Sequence, residues 1–205
     1  NPEGIVGGAW IPGDGQASPV DTTMALAAVA KERGARIFEG VSVERIRTEG
    51  GRAIGVETNQ GPMDAEHVVT AAGMWSHQLG RDVGVNIPLH ACEHFYLVTE
   101  PIEGLPASLP VLRDQDRCIY VKTEAGRLMV GAFEPVAKPY GMGGLPTDQP
   151  FLQLDEDWEH LAPVYEAACE RIPILADVGI RLFFNGPESF TPDDRYLLGE
   201  TPEVR

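Results

Sequence analysis

The order of local signals between Ser18 and Trp75 restricts the fold of this chain more than any one residue type does. Ser18 stands where a helix N-cap belongs, Pro19 at the first helical position and Asp21 at the third, a variant of the capping box. The helix they open runs through Met24, Leu26, Ala28 and Val29 to Arg33, and Gly34 stops it. Arg36–Gly40 reads as a short strand. Ser42–Thr48 and Ala53–Thr58 alternate apolar and polar residues around Glu49-Gly-Gly-Arg52, which predicts a β-hairpin. After Gly61-Pro62 comes a third strand, His67–Ala71, ending in Ala71-Ala72-Gly73-Met74-Trp75. Gly73 has no Cβ and the two alanines have small side chains, so backbone at this strand end is open to close approach.

Other elements fall on both sides of this block. Gly7–Pro12 reads as a strand and Gly13–Gln16 as a turn. Trp75–Val83 predicts a helix closed by Gly84 and Pro88. His94–Glu100, Cys118–Thr123 and Leu128–Phe133 predict a second, antiparallel sheet, and Gly179–Phe184 a further apolar strand. Pro135–Pro150, rich in Pro and Gly, is the main loop. Trp158, Leu161, Tyr165, Ala168 and Ile172 recur at helical spacing, with Pro163 placed to kink or divide that helix near its start. The fold class is α/β (α+β). A helix followed by a β-meander and an apolar strand is the usual second half of a dinucleotide-binding domain, here joined to a mainly antiparallel lobe flanked by helices.

Sixteen basic residues face 31 acidic ones, a net charge of −15. Nucleic-acid backbones and anionic membrane surfaces would be repelled, so neither is an expected partner. Cys92, Cys118 and Cys169 are widely spaced and in no CxxC pair, which suits core packing in a reducing compartment. No apolar run reaches the ~18 residues of a membrane span. The ends, Asn1 and Arg205, look like those of a piece from a longer protein.

Two short strings invite chemistry that their context does not support. His90-Ala-Cys-Glu-His94 matches the H-x-x-E-H pattern of some zinc proteases, which needs a helix to bring both imidazoles to one metal. Pro88 precedes it and strand-forming residues follow, and on a strand the two histidines would lie about 13 Å apart. A zinc metallohydrolase is therefore the least favoured reading, and no metal is expected. Gly13-Asp-Gly15-Gln-Ala-Ser18 is a degenerate match to G-x-G-x-x-G, better explained as a turn with a helix cap. No better phosphate-binding glycine loop exists in the sequence.

Several ordered motifs together carry a resemblance. Gly8-Ala-Trp-Ile-Pro-Gly-Asp-Gly-Gln16, Ala71-Ala-Gly-Met-Trp75, Pro88-Leu-His-Ala-Cys-Glu-His-Phe-Tyr-Leu-Val-Thr-Glu-Pro101, Pro110-Val-Leu-Arg-Asp114 and Asn185-Gly-Pro-Glu-Ser-Phe-Thr-Pro-Asp193 span the chain. They resemble the FAD-dependent amine oxidoreductases of the D-amino-acid-oxidase superfamily, in particular the dimethylglycine and sarcosine dehydrogenases. Relative to that family, the N-terminal glycine-loop half of the FAD domain and the C-terminal segment over the flavin are absent. The resemblance implies that residues 1–17 are a substrate-domain strand and turn and 18–87 part of the FAD-binding domain. It makes 88–190 the substrate-binding domain and 191–205 the start of a return to the FAD domain.

The resemblance also implies site residues. Val43, Ala71, Ala72, Gly73 and Trp75 match positions bordering FAD, and His94 and Tyr120 match the amine side. Amine oxidation needs a neutral substrate nitrogen, a task suited to a histidine and a tyrosine hydroxyl. Arg113 is placed to hold a substrate carboxylate. The implied parent oxidises N-methyl amino acids by hydride transfer to FAD, with tetrahydrofolate as a partner only through a downstream domain. This piece is expected to be incompetent alone, and the cytoplasm or the mitochondrial matrix is its expected compartment. The competing reading is a non-catalytic binding or structural module.

Overall fold

Gly50 and Gly51 both have positive φ, 57° and 78°, the two-residue loop whose twist matches a β-hairpin. Strands β1 (Val43–Glu49) and β2 (Arg52–Thr58) flank this turn as the sequence predicts. A second tight turn at Asn59 and Gln60 returns the chain as β3 (Gly61–Asp64), completing a three-stranded antiparallel sheet of order β1-β2-β3. The computed structural model describes residues 1–149 and 151–205, which divide into two compact units. Pro150, the last residue of the expected Pro135–Pro150 loop, lies outside the described residues; the rest of that segment carries no strand or helix beyond one isolated bridge, Cys92 to Pro139.

One unit comprises Pro19–Cys92, Pro139–Pro150 and Glu188–Arg205. It holds the small sheet, helix α1 (Pro19–Glu32), a 3₁₀ turn (Gly73–Trp75) and helix α2 (Ser76–Arg81). Helix α1 begins at Pro19 as its cap signals require, and beyond its end the Gly34 N–H donates to the Lys31 carbonyl. None of its residues is buried, and Val20, Met24, Leu26 and Val29 are all exposed. Three expected strands do not form: Gly7–Pro12, Arg36–Gly40 and His67–Ala71 run without ladder pairing. Extended chain becomes a strand only where a neighbour takes up its N–H and C=O groups. Here β2 already has β1 and β3 on its two sides, and Val69 is exposed.

The other unit comprises Asn1–Ser18, Glu93–Lys138 and Phe151–Pro187. Its sheet has five strands in the order β5-β6-β7-β4-β8. They are β4 (His90–Thr99), β5 (Leu112–Asp114), β6 (Ile119–Glu124), β7 (Arg127–Ala132) and β8 (Ile180–Phe190). The short strand β5 has too few residues to show a period in the sequence, and β8 runs beyond its expected end into Asn185–Phe190. Helix α3 (Trp158–Arg171) is capped by Asp157, whose carboxylate accepts the His160 N–H at 3.0 Å. It continues through Pro163 without dividing.

Period-two alternation builds the core. Phe95, Leu97, Ile119, Val121, Leu128, Val130, Ala132 and Phe183 turn one way and pack with Leu161, Val164 and Ala168 of α3. Burying such side chains fully contributes about 1.5–3 kcal/mol each. The buried face of α3 differs from the expected one by a residue. Val164 is buried, whereas Trp158 is 46% exposed with its indole N–H on Glu156.

The same α3 face ends in Arg171, whose side chain is 6% exposed. Its Nε donates to Asp114 on β5 at 2.7 Å, and its Nη1 to the carbonyls of Asn1 and Glu3. Burial alone would raise the Asp114 pKa. The hydrogen bonds from Arg171 and the Arg117 backbone N–H, with the two guanidinium charges, outweigh it and hold the carboxyl below its ordinary 3.8. Asp114→Ala removes the acceptor from a buried guanidinium and should cost about 1.5–3 kcal/mol in urea denaturation. Because the native pKa is depressed, the pair's contribution is fully present above about pH 4 and is lost as pH falls through the native value. Asp114→Asn should therefore flatten the acid limb of stability against pH in that window.

Candidate active site

The alternation that buries one face of the large sheet turns a second set of side chains the other way. Tyr120 on β6 lies opposite Gly131 on β7, and Gly131 lies opposite Tyr96 on β4. Arg113 on β5 pairs with Tyr120 from the other side. One row therefore crosses four strands, Arg113, Tyr120, Gly131 and Tyr96. His94 precedes Tyr96 by two residues and Phe133 follows Gly131 by two, so both share this face.

Phe133 is the point on which the candidate side chains meet. It is 47% exposed. The His94 ring centroid lies 4.9 Å from it, the Tyr120 ring 6.0 Å, and the Arg113 guanidinium carbon 5.5 Å above its face. Residues from three strands, named separately in the sequence, are thus brought together. The cation over Phe133 contributes about 0.5–1 kcal/mol at such an exposed site and holds Arg113 near the two polar rings. The group offers an imidazole, a phenol and a cation around a half-open aromatic surface. Such a surface suits a small amine that also bears an anionic group.

Sequence reading missed Phe133, Gly131 and Tyr96 as parts of this face. Tyr96, taken there as core, is only half-buried and stacks on Phe184 at 5.1 Å. The signal was available. In Leu128-Met-Val-Gly-Ala-Phe133 the core residues Leu128, Val130 and Ala132 alternate with Met129, Gly131 and Phe133, which lie outside the core cluster. The H-x-x-E-H string lies on β4 from its first residue, so His90 and His94 lack helical spacing. Among the described residues no group of three or more His, Cys, Asp or Glu is arranged to hold a metal.

The candidate cofactor residues lie in the other unit. Val43 opens β1 opposite Thr58 and is 41% exposed. Ala71 is exposed, and the half-buried Ala72 donates its N–H to Ser76 Oγ at 3.2 Å. Gly73 has φ +54°, and a Cβ placed on it would meet nothing within 4 Å. The 71–73 segment, which is not a strand, therefore presents an open surface of small residues. The Trp75 Nε1–H donates to the Pro146 carbonyl at 2.7 Å. Gln78 accepts the Leu145 N–H at 3.1 Å, so α2 and the turn before it hold the 145–146 segment at two points.

The Gly13-Asp14-Gly15 turn builds no pyrophosphate cradle. The Gly15 N–H of the Gly13-Asp14-Gly15 turn donates to the Asp14 carboxylate at 2.9 Å. An anion already occupies that amide, where a phosphate would need it free. The residues present thus fit one border of FAD and not its charged centre.

The whole chain, residues 1–205, matches the family model described as FAD dependent oxidoreductase, DAO, and the chain belongs to that family. It is 40% identical over 201 residues to 4-methylaminobutanoate oxidase (formaldehyde-forming) of Paenarthrobacter nicotinovorans, covering 98% of this chain and 24% of the relative. It is 39% identical to human mitochondrial sarcosine dehydrogenase over 210 residues, covering 100% of this chain and 22% of that protein. It is also 36% identical to the mouse mitochondrial pyruvate dehydrogenase phosphatase regulatory subunit, covering 100% of this chain and 24% of that protein. The chain thus spans about a quarter of these relatives' length. Among solved structures, L-proline dehydrogenase from P. horikoshii matches with a TM-score of 0.78 at 26% identity, over 95% of this chain and 50% of that one. The mixed α/β architecture, with antiparallel sheets and few helices, is the fold of this family.

Trp75→Phe keeps an aromatic side chain, though a smaller one, and removes the N–H donated to Pro146, a loss of about 1 kcal/mol from the hydrogen bond. Limited proteolysis should then cut residues 139–149 faster than in the parent, with the rest of the digestion pattern unchanged.

Proposed function

We propose that the protein carrying this chain oxidises a secondary or tertiary N-methyl amino acid of the sarcosine or dimethylglycine type. The observation that carries the reading is the convergence of His94, Tyr120 and Arg113 on Phe133. The names of two relatives, an oxidase of a methylamino acid and a sarcosine dehydrogenase, support the substrate class. In this reading residues 19–92 and 188–205 belong to the FAD-binding domain, and 93–138 with 151–187 to the substrate domain. Val43, Ala71, Ala72 and Gly73 border the bound FAD, with Trp75 fixing the loop beside them. FAD, when bound, supplies the hydride acceptor.

The chain's own residues prepare the amine. Arg113 pairs with the substrate carboxylate through its planar fork and so fixes which end of the molecule points away from the imidazole. His94 accepts the ammonium proton, because only the neutral nitrogen carries a lone pair able to stabilise the developing iminium. The Tyr120 hydroxyl orients that nitrogen. The three half-buried cysteines, in no CxxC pair, suit a reducing compartment, cytoplasm or mitochondrial matrix, and no helix among the described residues is long and apolar enough to cross a membrane. Any use of tetrahydrofolate rests on a further domain.

General acid–base groups contribute about 10²–10⁴-fold. In the full-length protein His94→Ala should slow anaerobic flavin reduction by that range at saturating N-methyl substrate, while Tyr120→Phe should cost less. Rapid-mixing spectroscopy across pH measures both. Parent rates in both variants would remove the assignment. The similarity to a phosphatase regulatory subunit supports a second reading, a binding module without redox chemistry. A full-length protein that binds FAD yet leaves it oxidised with every N-methyl amino acid tried would favour that module.

The Gly13-Asp14-Gly15 turn of this chain offers a pyrophosphate no free Gly15 amide, because the Asp14 carboxylate already accepts it. Calorimetric titration of the chain with FAD should therefore give weak binding or none, and a submicromolar affinity would contradict the site as described.

A further inference from the structure

Gly131 is the one residue of the Arg113–Tyr120–Gly131–Tyr96 row without a side chain, and its backbone does not explain that choice. It sits inside β7, is buried, and is absent from the glycines at positive φ. Glycine within a strand weakens it and often marks a place where another group comes close. The space explains it. A Cβ built on Gly131 would come nearer than 3.0 Å to Tyr120 Cζ, Oη and Cε1, the last at 2.7 Å. The far end of the Tyr120 ring, hydroxyl included, therefore lies across the Gly131 backbone. Phe133 flanks the same ring at 6.0 Å, and Tyr96, held against Phe184, stands opposite Gly131 on β4.

We propose that Gly131 is a positioning residue that sets the Tyr120 hydroxyl for the amine, a role that rests on the function proposed above. The glycine leaves a slot one side chain wide between Tyr120 and Tyr96, and the phenol fills it flat. Without the slot the ring swings off the sheet and its hydroxyl leaves the group formed with His94 and Arg113. Gly131 touches no substrate itself. Its effect passes entirely through Tyr120.

The test is a double-mutant cycle in the full-length, FAD-loaded protein. Gly131→Ala should retain FAD and slow flavin reduction by the same factor as Tyr120→Phe, within about twofold. Adding Tyr120→Phe to Gly131→Ala should then slow it less than twofold further. Independent multiplication of the two effects, or a parent rate for Gly131→Ala, would overturn the proposal. Thermal unfolding tests the slot without reference to activity. Gly131→Ala should lower Tm in the parent and leave it unchanged in a Tyr120→Ala background, where the ring is gone. An equal fall in both backgrounds overturns the slot itself. If Tyr120→Phe reduces flavin at the parent rate while the Tm cycle behaves as stated, the slot stands and the catalytic reading of Tyr120 fails. Should Gly131→Ala not accumulate, recovery of the Gly131→Ala/Tyr120→Ala protein supports the slot and its failure to accumulate overturns it.

Discussion

A single burial constraint organises the five-stranded sheet, because α3 covers one of its faces and the alternation of strand residues then fixes the other. Leu97, Val121 and Val130 cannot be buried against α3 unless Tyr96, Tyr120 and Gly131 point away from it. A slip of one residue in any strand would exchange the two sets. The penalty for exposing Phe95, Leu97 and Val130 therefore keeps His94, Tyr120 and Phe133 on one surface. Register here is enforced by apolar side chains buried on the opposite face.

Polar contacts at the edges of this unit make the arrangement specific. Lys138 bridges Glu93 at 3.1 Å and Asp157 at 2.8 Å, tying the end of the segment after β7 both to β4 and to the cap of α3. The Asp157 and Glu93 hydrogen bonds raise the Lys138 pKa, and the same Lys138 bond followed by the His160 N–H lowers that of Asp157. Asn185, 1% exposed on β8, donates to the other Glu93 oxygen and to the Asp155 carbonyl. Glu93 therefore joins β4, β8 and the chain leading to α3, one residue from His94. The exposed lysine gives this cluster little stability by itself, yet its geometry leaves the strand carrying His94 few alternatives.

How much of this was legible depended on whether the determining interaction was local. The Gly50-Gly51 hairpin, the start of α1 at Pro19 and the cap of α3 rest on neighbours in sequence, and residue patterns report them. Gly7–Pro12, Arg36–Gly40 and His67–Ala71 have strand-like composition but no partner strand among the described residues, a fact no local pattern contains. Trp158 obeys the helical period yet stays half-exposed as the first residue of α3, its ring edge-on to Phe183 at 4.7 Å. At the site, His94, Tyr120 and Arg113 came from motif resemblance, while Phe133, which gathers them, emerged only from the cross-strand register. Trp75 was a cofactor candidate by its motif, and the structure shows its indole N–H committed to Pro146.

Family membership alone leaves the chemistry open, since relatives of similar identity are named both as oxidoreductases and as a regulatory subunit. What separates those roles has to lie in side chains that the fold does not need. The α3-facing core would fold with any residues at 94, 113 and 133 that kept strand propensity, because none of the three is buried in it. Their identities as histidine, arginine and phenylalanine are therefore not set by that core. Gly131 is a different case. A strand gains nothing intrinsically from a buried glycine outside positive φ, and at 131 the Tyr120 ring occupies the space a Cβ would need.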